Sequence, residues 1–157
     1  MKIRKATIKD LDEIERIYVE GSVSEVKLQF PKKNVESILK EMKKYEKERK
    51  EGFKEGIKSK DEYWVIIADN NKAAGFGQAV IDKNDKSKAG IEKVYVDKEF
   101  RRKGVGMRLI KDIIMWLKEK KVKLVSSGIF IKNKPSINIH EKLGFEVTAV
   151  RMQKKLK

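Results

Sequence analysis

Apolar positions in the first part of the chain repeat with the period of an α-helix. The first apolar stripe consists of Leu11, Ile14, Ile17 and Tyr18. This spacing predicts an amphipathic helix that begins after a capping box of Thr7 and Asp10 and ends near Gly21. A short edge strand over residues 2–6 precedes this helix.

A second helical stripe follows the break in the chain at Pro31. It begins after Asn34 and consists of Val35, Ile38, Leu39, Met42 and Tyr45. The lysine- and glutamate-rich run over residues 43–60 contains Glu46 and Lys50, which are spaced for an ion pair on one helix face. We therefore interpret this run as a solvated helix face and not as a nucleic-acid-binding tail.

The middle of the chain changes to the apolar patterns of β-strands. We expect strands over residues 63–68, 73–81 and 90–96, joined by a turn at 69–72 and a polar loop at 82–88. The third strand is marked as central by Ile91, Val94 and Val96. Short connections favour antiparallel pairing, so the three strands form a meander.

The second half of the chain alternates helix and strand. A helix with a wide apolar face is expected over residues 107–118, and a strand over 123–131 follows it. A short helix starts at Asn133 and ends at Gly144, before a last alternating strand over 145–152. A strand–helix–strand succession implies a right-handed crossover and a parallel pair. The chain is thus predicted to form one α/β domain, residues 1–157, with a mixed, mostly antiparallel sheet flanked by helices.

Composition excludes several kinds of site. The chain has 157 residues, no cysteine and one histidine. Disulfides, thiolate metal sites, a cysteine nucleophile and multi-histidine metal sites are therefore excluded; only an all-carboxylate site is left, and we expect no metal. Neither an apolar signal core nor an apolar run of about 20 residues is present, so we expect a cytoplasmic protein without a membrane span.

The charge is strongly unbalanced, with 39 lysines and arginines against 24 acidic residues and a formal net charge of +15. Such a field attracts polyanions, including nucleic acid, anionic membranes and phosphorylated cofactors. A lysine- and glutamate-rich thermophile surface is an equally good explanation for most of the charge. That explanation leaves the concentration of charge at Arg101, Arg102 and Lys103 unaccounted for.

The segment Arg101–Gly106 lies between the central strand and the next helix. Its two glycines allow backbone N–H groups to approach a ligand closely, and the helix start adds unpaired donors and partial positive charge. This combination predicts an anion site, most typically for phosphate. A dinucleotide fingerprint is excluded because Leu109 replaces its third glycine, and a P-loop is excluded by the missing Gly-Lys-Ser/Thr. A glycine-rich helix start without a ligand is the alternative.

Two further segments complete a pattern. In order, the chain carries Val94-x-Val96, Arg101-x-x-Gly104-x-Gly106, Asn133-x-x-Ser136 and His140-Glu-Lys-Leu-Gly-Phe145. This pattern closely resembles the GCN5-related N-acetyltransferase (GNAT) superfamily. The acetyl-CoA motif of that family is Arg/Gln-x-x-Gly-x-Gly/Ala, and its later segment reads Asn-x-x-Ala/Ser and then Tyr-Glu-Lys-Leu-Gly-Phe. The resemblance covers roughly residues 60–150.

The resemblance implies a GNAT-type fold, a locally parallel strand pair at the cofactor site, and acetyl-CoA as cofactor. It implies that backbone amides from about residue 102 to 107 hold the pyrophosphate and that Asn133, whose other role is a helix N-cap, contacts the pantetheine arm. The implied cofactor-binding residues are Val94, Val96, Arg101, Arg102, Lys103, Gly104, Val105, Gly106, Met107, Asn133 and Ser136.

The resemblance further implies direct acetyl transfer to an amine. A backbone amide near Val96 would stabilise the developing oxyanion. The family tyrosine that protonates the leaving thiolate is replaced here by His140, which is able to donate a proton near neutral pH. The alternative is a solvent-facing His140 and a thiolate that leaves unaided.

Glu92 on the central strand is the best candidate for the general base. A solvent-facing strand carboxylate, or an anchor for the acceptor amine, is an equally good interpretation. Tyr95 alternates with Val94 and Val96 and is assigned no chemistry.

Acetyl transfer to an amine of a protein or a small molecule is the leading functional hypothesis. The alternatives are a basic nucleic-acid-binding module, disfavoured because the aromatic residues are not interleaved with the basic ones, and a CoA-binding regulatory GNAT without turnover. The acceptor-selecting region is expected over residues 18–62, and the positive surface disfavours polyamines. A homodimer is expected on family grounds only.

Overall fold

The computed structural model describes residues 1–156 and contains five strands and five α-helices. The strands are β1 (Lys2–Lys5), β2 (Glu62–Asp69), β3 (Lys72–Ile81), β4 (Lys88–Val96) and β5 (Leu124–Ser127). The helices are α1 (Leu11–Gln29), α2 (Val35–Lys44), α3 (Glu46–Lys58), α4 (Val105–Glu119) and α5 (Lys134–Lys142). Within residues 1–156, none of the helices combines the length and the apolar character that crossing a membrane requires.

The five strands form one sheet in the order β1-β2-β3-β4-β5. The first three pairings are antiparallel, and β4 pairs with β5 in parallel after the crossover through α4. The predicted fold class is therefore confirmed, including the local parallel pair. The edge position of β1 and the central position of β4 next to the motif are also as predicted.

Each face of the sheet carries its own apolar core. On one face α4 packs against the sheet through residues such as Leu109 and Ile113, which are fully buried. On the other face α1 and α3 pack through Ile14, Ile17 and Phe53 around the buried Trp64. The residues of β4 alternate between these two cores, so one strand contributes side chains to both.

The alternation of β4 contains one irregularity. Gln78 of β3 pairs with Lys93, whereas the next residue, Ala79, pairs with Ile91, so Glu92 is an extra residue that forms a β-bulge. Because of the bulge, Glu92 and Lys93 both project from the face opposite α4. Bulges of this kind frequently re-aim side chains next to active sites.

The first helix is longer than its apolar stripe predicts. It continues past Gly21 to Gln29 because Gly21 is buried beneath Tyr95. A Cβ atom at Gly21 would lie 2.1 Å from the Tyr95 ring, so the glycine permits close helix–sheet packing and does not end the helix.

Two predictions about the C-terminal quarter are wrong. The strand expected over residues 123–131 ends at Ser127, since Phe130 and Ile131 are exposed and lack a neighbouring strand. The last strand expected over 145–152 is absent, and residues 145–156 carry no regular secondary structure. Val147 and Val150 are exposed, so the alternating pattern has no packed face to bury.

Candidate active site

A cleft opens where β4 continues beyond its partner β5. The parallel pairing ends at Ile91 and Ser127, but β4 continues to Val96. The Asp97 N–H donates to the Ala74 carbonyl of β3 at 2.9 Å, so by alternation the N–H groups of Val94 and Val96 point to the opposite, unpaired edge. This edge is able to bind an extended ligand through its backbone, as an added strand would.

The turn that follows β4 has the backbone conformation that its glycines predict. Gly104 has a φ of +77° and precedes the first residue of α4, with open space where a Cβ would lie. Arg102 also has a left-handed φ of +63°. Among the described residues 1–156, no side chain caps the helix at Gly104, so the N–H groups of the first helical turn, residues 105–107, are available to an anion.

Side chains on either side of that turn fix its position. Val105 is buried in the α4 core and anchors the start of the helix, whereas Met107 is partly exposed. A Cβ at Gly106 would lie 3.7 Å from both Val96 and Ile139. The helix start therefore sits between the unpaired end of β4 and α5, the helix that carries His140.

The three basic residues of the motif are not equivalent. The Arg101 Nε donates to the Val96 carbonyl at 3.2 Å, and its Nη2 lies 3.6 Å from Glu20 of α1. Arg101 thus ties the turn to β4 and α1, a contact that the sequence did not predict. Arg102 and Lys103 are exposed, and the Lys103 ammonium lies 5.3 Å from the ring centre of Phe100.

His140 is buried, with 4% of its surface exposed, so the solvent-facing alternative is wrong. Its Nδ1 lies 2.8 Å from the Ser136 carbonyl, which accepts only if Nδ1 carries a proton. The Nε2 atom is buried and has no hydrogen-bond partner within residues 1–156. Phe145 packs edge-on against the ring at 4.9 Å. A buried ring nitrogen without a partner is a rare feature that suggests a ligand contact.

Asn133 and Ser136 position the helix that carries His140. Asn133 is the N-cap of α5, and its Oδ1 accepts the Ser136 N–H at 3.3 Å. The capping interaction leaves the Asn133 amide group available as a donor. Ser136 contributes its backbone carbonyl to the orientation of His140.

Glu92 lies away from these residues, on the sheet face opposite α4. It is exposed, and together with Gly90 and Ser126 it lines a cavity of about 500 Å³ beside the β3–β4 loop. The bulge turns Glu92 to the sheet face opposite α4.

A polar chain beside Glu92 on the same face was not foreseen from the sequence. The Lys93 ammonium donates to Gln78 Oε1 at 3.0 Å, and Gln78 Nε2 donates to Glu62 at 2.9 Å. Glu62 also accepts the Trp64 indole N–H at 2.8 Å. Burial lowers the pKa of Lys93. The sequence signal that could have revealed this chain of hydrogen bonds is a lysine, Lys93, within an otherwise apolar strand.

Tyr95, on the same face of β4, forms a hydrogen bond with a residue of α1. Its hydroxyl lies 3.3 Å from Glu25 Oε2, and burial raises the pKa of both groups. The hydroxyl donates to the carboxylate, and the ring packs edge-on against Tyr18 at 5.5 Å. The contact between Tyr95 and Glu25 was not predicted, because the neighbours of Tyr95 in the sequence are apolar.

A partly buried ion pair joins α1 to the end of β4. Asp97 is 1% exposed, accepts from Arg16 Nη1 of α1, and accepts the Glu99 N–H at 2.8 Å. Burial by itself raises the pKa of Asp97, but the hydrogen bonds from Arg16 and Glu99 outweigh it and hold the pKa below its usual range. Glu13, whose pKa the Arg16 hydrogen bond lowers, extends the network to the Ala73 N–H.

The match to a protein-family model agrees with this architecture. Residues 30–145 match the model for the "Acetyltransferase (GNAT) family". An uncharacterized N-acetyltransferase of Methanocaldococcus jannaschii is 28% identical over 98 residues, which cover 60% of this chain and 43% of that protein. The match thus spans less than half the length of that curated relative.

Solved structures show the same fold. The PaiA N-acetyltransferase of Thermoplasma acidophilum, crystallised with coenzyme A, has a TM-score of 0.79 at 19% identity, covering 96% of this chain and 92% of that one. AAC(6')-Iy in complex with the bisubstrate analogue CoA-S-monomethyl-acetylneamine has a TM-score of 0.68 at 20% identity, with 99% and 97% covered.

Proposed function

This chain belongs to the acetyltransferase (GNAT) family, whose acetyl donor is acetyl-CoA, and on that premise we propose that it transfers acetyl directly to a primary amine of a protein or small molecule. The observation that carries the proposal is the unpaired edge of β4, which ends at an uncapped helix start. We propose that residues 1–157 act as one domain, with donor and acceptor approaching β4 from its two faces.

The residues of the donor side fit coenzyme A. The N–H groups of residues 105–107 suit a pyrophosphate, and the glycine at 104 keeps the approach clear. The unpaired amide of Val96 and the amide group of Asn133 suit the polar pantetheine arm. Arg102 and Lys103 add exposed positive charge, whereas Arg101 acts indirectly by fixing the turn.

Bound acetyl-CoA supplies an acetyl group activated as a thioester. The residues of this chain lower the barrier by stabilising charge and by moving two protons. The Val94 amide, which is farther than Val96 from the pyrophosphate-binding turn, stabilises negative charge that develops on the acetyl oxygen. The amine nitrogen bonds to the acetyl carbon while the carbon–sulfur bond breaks, so the amine loses one proton and the sulfur gains one.

His140 is the proposed proton donor to sulfur, and its hydrogen bond determines which ring nitrogen donates. Since Nδ1–H is committed to the Ser136 carbonyl, the transferable proton must be on Nε2, and His140 acts as an acid only in its doubly protonated form. The unpartnered Nε2 supports this role.

Glu92 is the proposed base for the amine. Its exposure at the bulge, on the face opposite α4, supports contact with an acceptor that enters from that side. A water-mediated path to Glu92 would serve equally, since the carboxylate needs to lie within hydrogen-bond reach of the amine or of one bridging water.

Binding and turnover test the proposal separately. Isothermal titration is expected to give acetyl-CoA binding that persists at moderate salt, where no comparable binding of duplex DNA is expected. Thiol release is then measured with small amines, lysine peptides and free N-terminal peptides. Binding without thiol release in any acceptor class would contradict amine acetylation and support a regulatory CoA-binding protein. Preferential DNA binding would contradict the donor site as well.

Glu92→Gln tests the base. Loss of a positioned base is expected to lower kcat by about 100-fold, with acetyl-CoA affinity unchanged. Glu99→Gln is the matched control, because Glu99 is exposed and, within residues 1–156, its carboxylate forms a single ion pair, with Lys72 at the surface. An unchanged kcat in Glu92→Gln would mean that a group other than Glu92 takes the proton from the amine.

A further inference from the structure

Lys93 is a cation held in an unusual environment on the acceptor side of β4. Its ammonium lies 5.6 Å from the ring centre of Phe53 and 5.9 Å from that of Tyr18. Its hydrogen bond to Gln78 Oε1 accounts for one of three donors. The side chain is only partly exposed, so water replaces the missing contacts poorly.

The neighbouring cations of this side are paired, and Lys93 is not. Arg49 is paired with Glu15, and Arg16 with Asp97 and Glu13. None of the ion pairs found within residues 1–156 includes Lys93. A partly buried ammonium without a carboxylate within 4.0 Å is costly, unless an anion from outside completes the site.

The orientation of Gln78 favours the charged form of Lys93. Glu62 accepts the Gln78 amide hydrogen, which turns the amide oxygen toward the Lys93 ammonium. The negative charge of Glu62 therefore acts on Lys93 through an intervening dipole. This arrangement holds Lys93 in place as a cation and leaves its other donors for a ligand.

The surroundings of Lys93 fit a small organic acceptor. Tyr18, which borders Lys93, also lines a cavity of about 490 Å³ between the first three helices, together with Tyr45 and Arg49. Glu92, the proposed base, is the adjacent residue on β4 and projects from the same face. The charge of Glu92 acts to raise the pKa of Lys93, so the two side chains are close enough for one small molecule to place its amine near Glu92 and its anion near Lys93.

We propose that Lys93 binds the carboxylate of the acceptor, so that this enzyme acetylates small amines that carry a carboxylate group. The inference rests on the proposed amine acetylation and adds the substrate class. The net charge of +15 is consistent with attraction of such anionic acceptors to the surface.

Matched acceptor pairs test the proposal. Thiol release is measured with 4-aminobutyrate against butylamine, and with glycine against glycinamide; a peptide with an N-terminal aspartate separates free acids from peptide carboxylates. The kcat/KM of the free acid is expected to exceed that of its uncharged partner by about tenfold or more. Equal values, or preference for the uncharged amines or the peptide, would overturn the inference while leaving amine acetylation intact.

Variants at position 93 identify the group responsible. Lys93→Gln is expected to remove the preference by raising KM for the acid alone, and Lys93→Arg to retain part of it. Lys5→Gln is the control, since Lys5 is an exposed lysine on the far edge strand β1. An equal fall in kcat for both acceptors in Lys93→Gln would indicate that Lys93 acts as a general base, and would overturn its proposed role in binding the acceptor carboxylate.

Two measurements distinguish the possible failures. Acetyl-CoA binding and the thermal midpoint of Lys93→Gln are expected to match the parent protein, because Lys93 faces away from α4. If acetyl-CoA binds but no amine in either set releases thiol, the proposed function fails and the acceptor inference falls with it.

Discussion

The two faces of β4 differ in the chemical groups that they offer to a ligand. On the α4 side the proposed donor site consists of backbone groups: the Val94 and Val96 amides, the Gly104 turn and the start of α4. On the opposite side the proposed acceptor site consists of side chains, above all Glu92 and Lys93. Backbone sites depend on conformation and tolerate few substitutions at their glycines. Side-chain sites are changed by single substitutions that leave the fold intact.

Asp97→Asn tests whether the two faces are energetically separable. Asp97 is buried and joins α1 to the end of β4, so its loss leaves Arg16 with Glu13 as its remaining carboxylate partner. We expect a loss of about 2 kcal/mol in the free energy of unfolding at pH 7, together with weaker acetyl-CoA binding. Urea denaturation and isothermal titration provide the measurements. Asp12→Asn, at a side chain 92% exposed, is the control and is expected to change stability by less than about 0.5 kcal/mol.

The same pair of variants gives a pH test with a defined sign. The folded-state pKa of Asp97 is lowered, so its stabilisation is complete above the unfolded value of about 3.9 and is lost as pH falls through the folded value. The difference between the parent protein and Asp97→Asn is therefore expected to be constant from pH 7 to about pH 5 and to shrink below about pH 4. A difference that grew on acidification would contradict the ion pair.

His140→Phe tests a residue on the proposed donor side that acts through its side chain and not through its backbone. Phenylalanine fills the same buried space but has no transferable proton, so kcat is expected to fall by about 100-fold. Acetyl-CoA affinity and the thermal midpoint should change little. Thiol release across the pH range is the measurement, and His140→Tyr is expected to restore part of the rate. Full kcat for His140→Phe at every pH would eliminate His140 as the acid.

Gly104→Ala tests the backbone character of the donor site. Alanine at a φ of +77° is strained, so we expect a loss of about 1 kcal/mol in stability and weaker acetyl-CoA binding. Gly52→Ala is the matched control: Gly52 lies in α3 with open space around it, and alanine there should stabilise the protein by about 0.5–1 kcal/mol. Two changes of the same sign would contradict the conformational argument.

Lys103→Ala is expected to have the smallest effect. Lys103 is exposed and adds only screened charge to a site built from backbone groups, so the Kd of acetyl-CoA should rise by a few-fold at low salt. The difference from the parent protein should vanish near 1 M salt. A large, salt-independent loss would mean that a basic side chain, and not the backbone, dominates donor binding.

The sequence predicted the turn before α4 better than the contacts on the opposite face of β4, because the two regions leave different signals. Gly104 and the apolar period of α4 are local features, so the turn could be located without knowledge of the fold. The roles of Arg101, Lys93 and Gly21 depend on residues that are distant in sequence: Glu20, Gln78 and Tyr95. The strand predicted over 145–152 failed for the same reason, since alternation alone does not specify a partner strand.

The bulge accommodates the extra residue at Glu92 without changing the phase of the strand that both substrates would share. The valines at 94 and 96 face α4 and their amides point into the cleft. A deletion of Glu92 would leave a regular strand in the same phase: Lys93 would follow Ile91, and the valine amides would still point into the cleft. The extra residue thus adds a carboxylate beside Lys93 without disturbing the backbone on the α4 side.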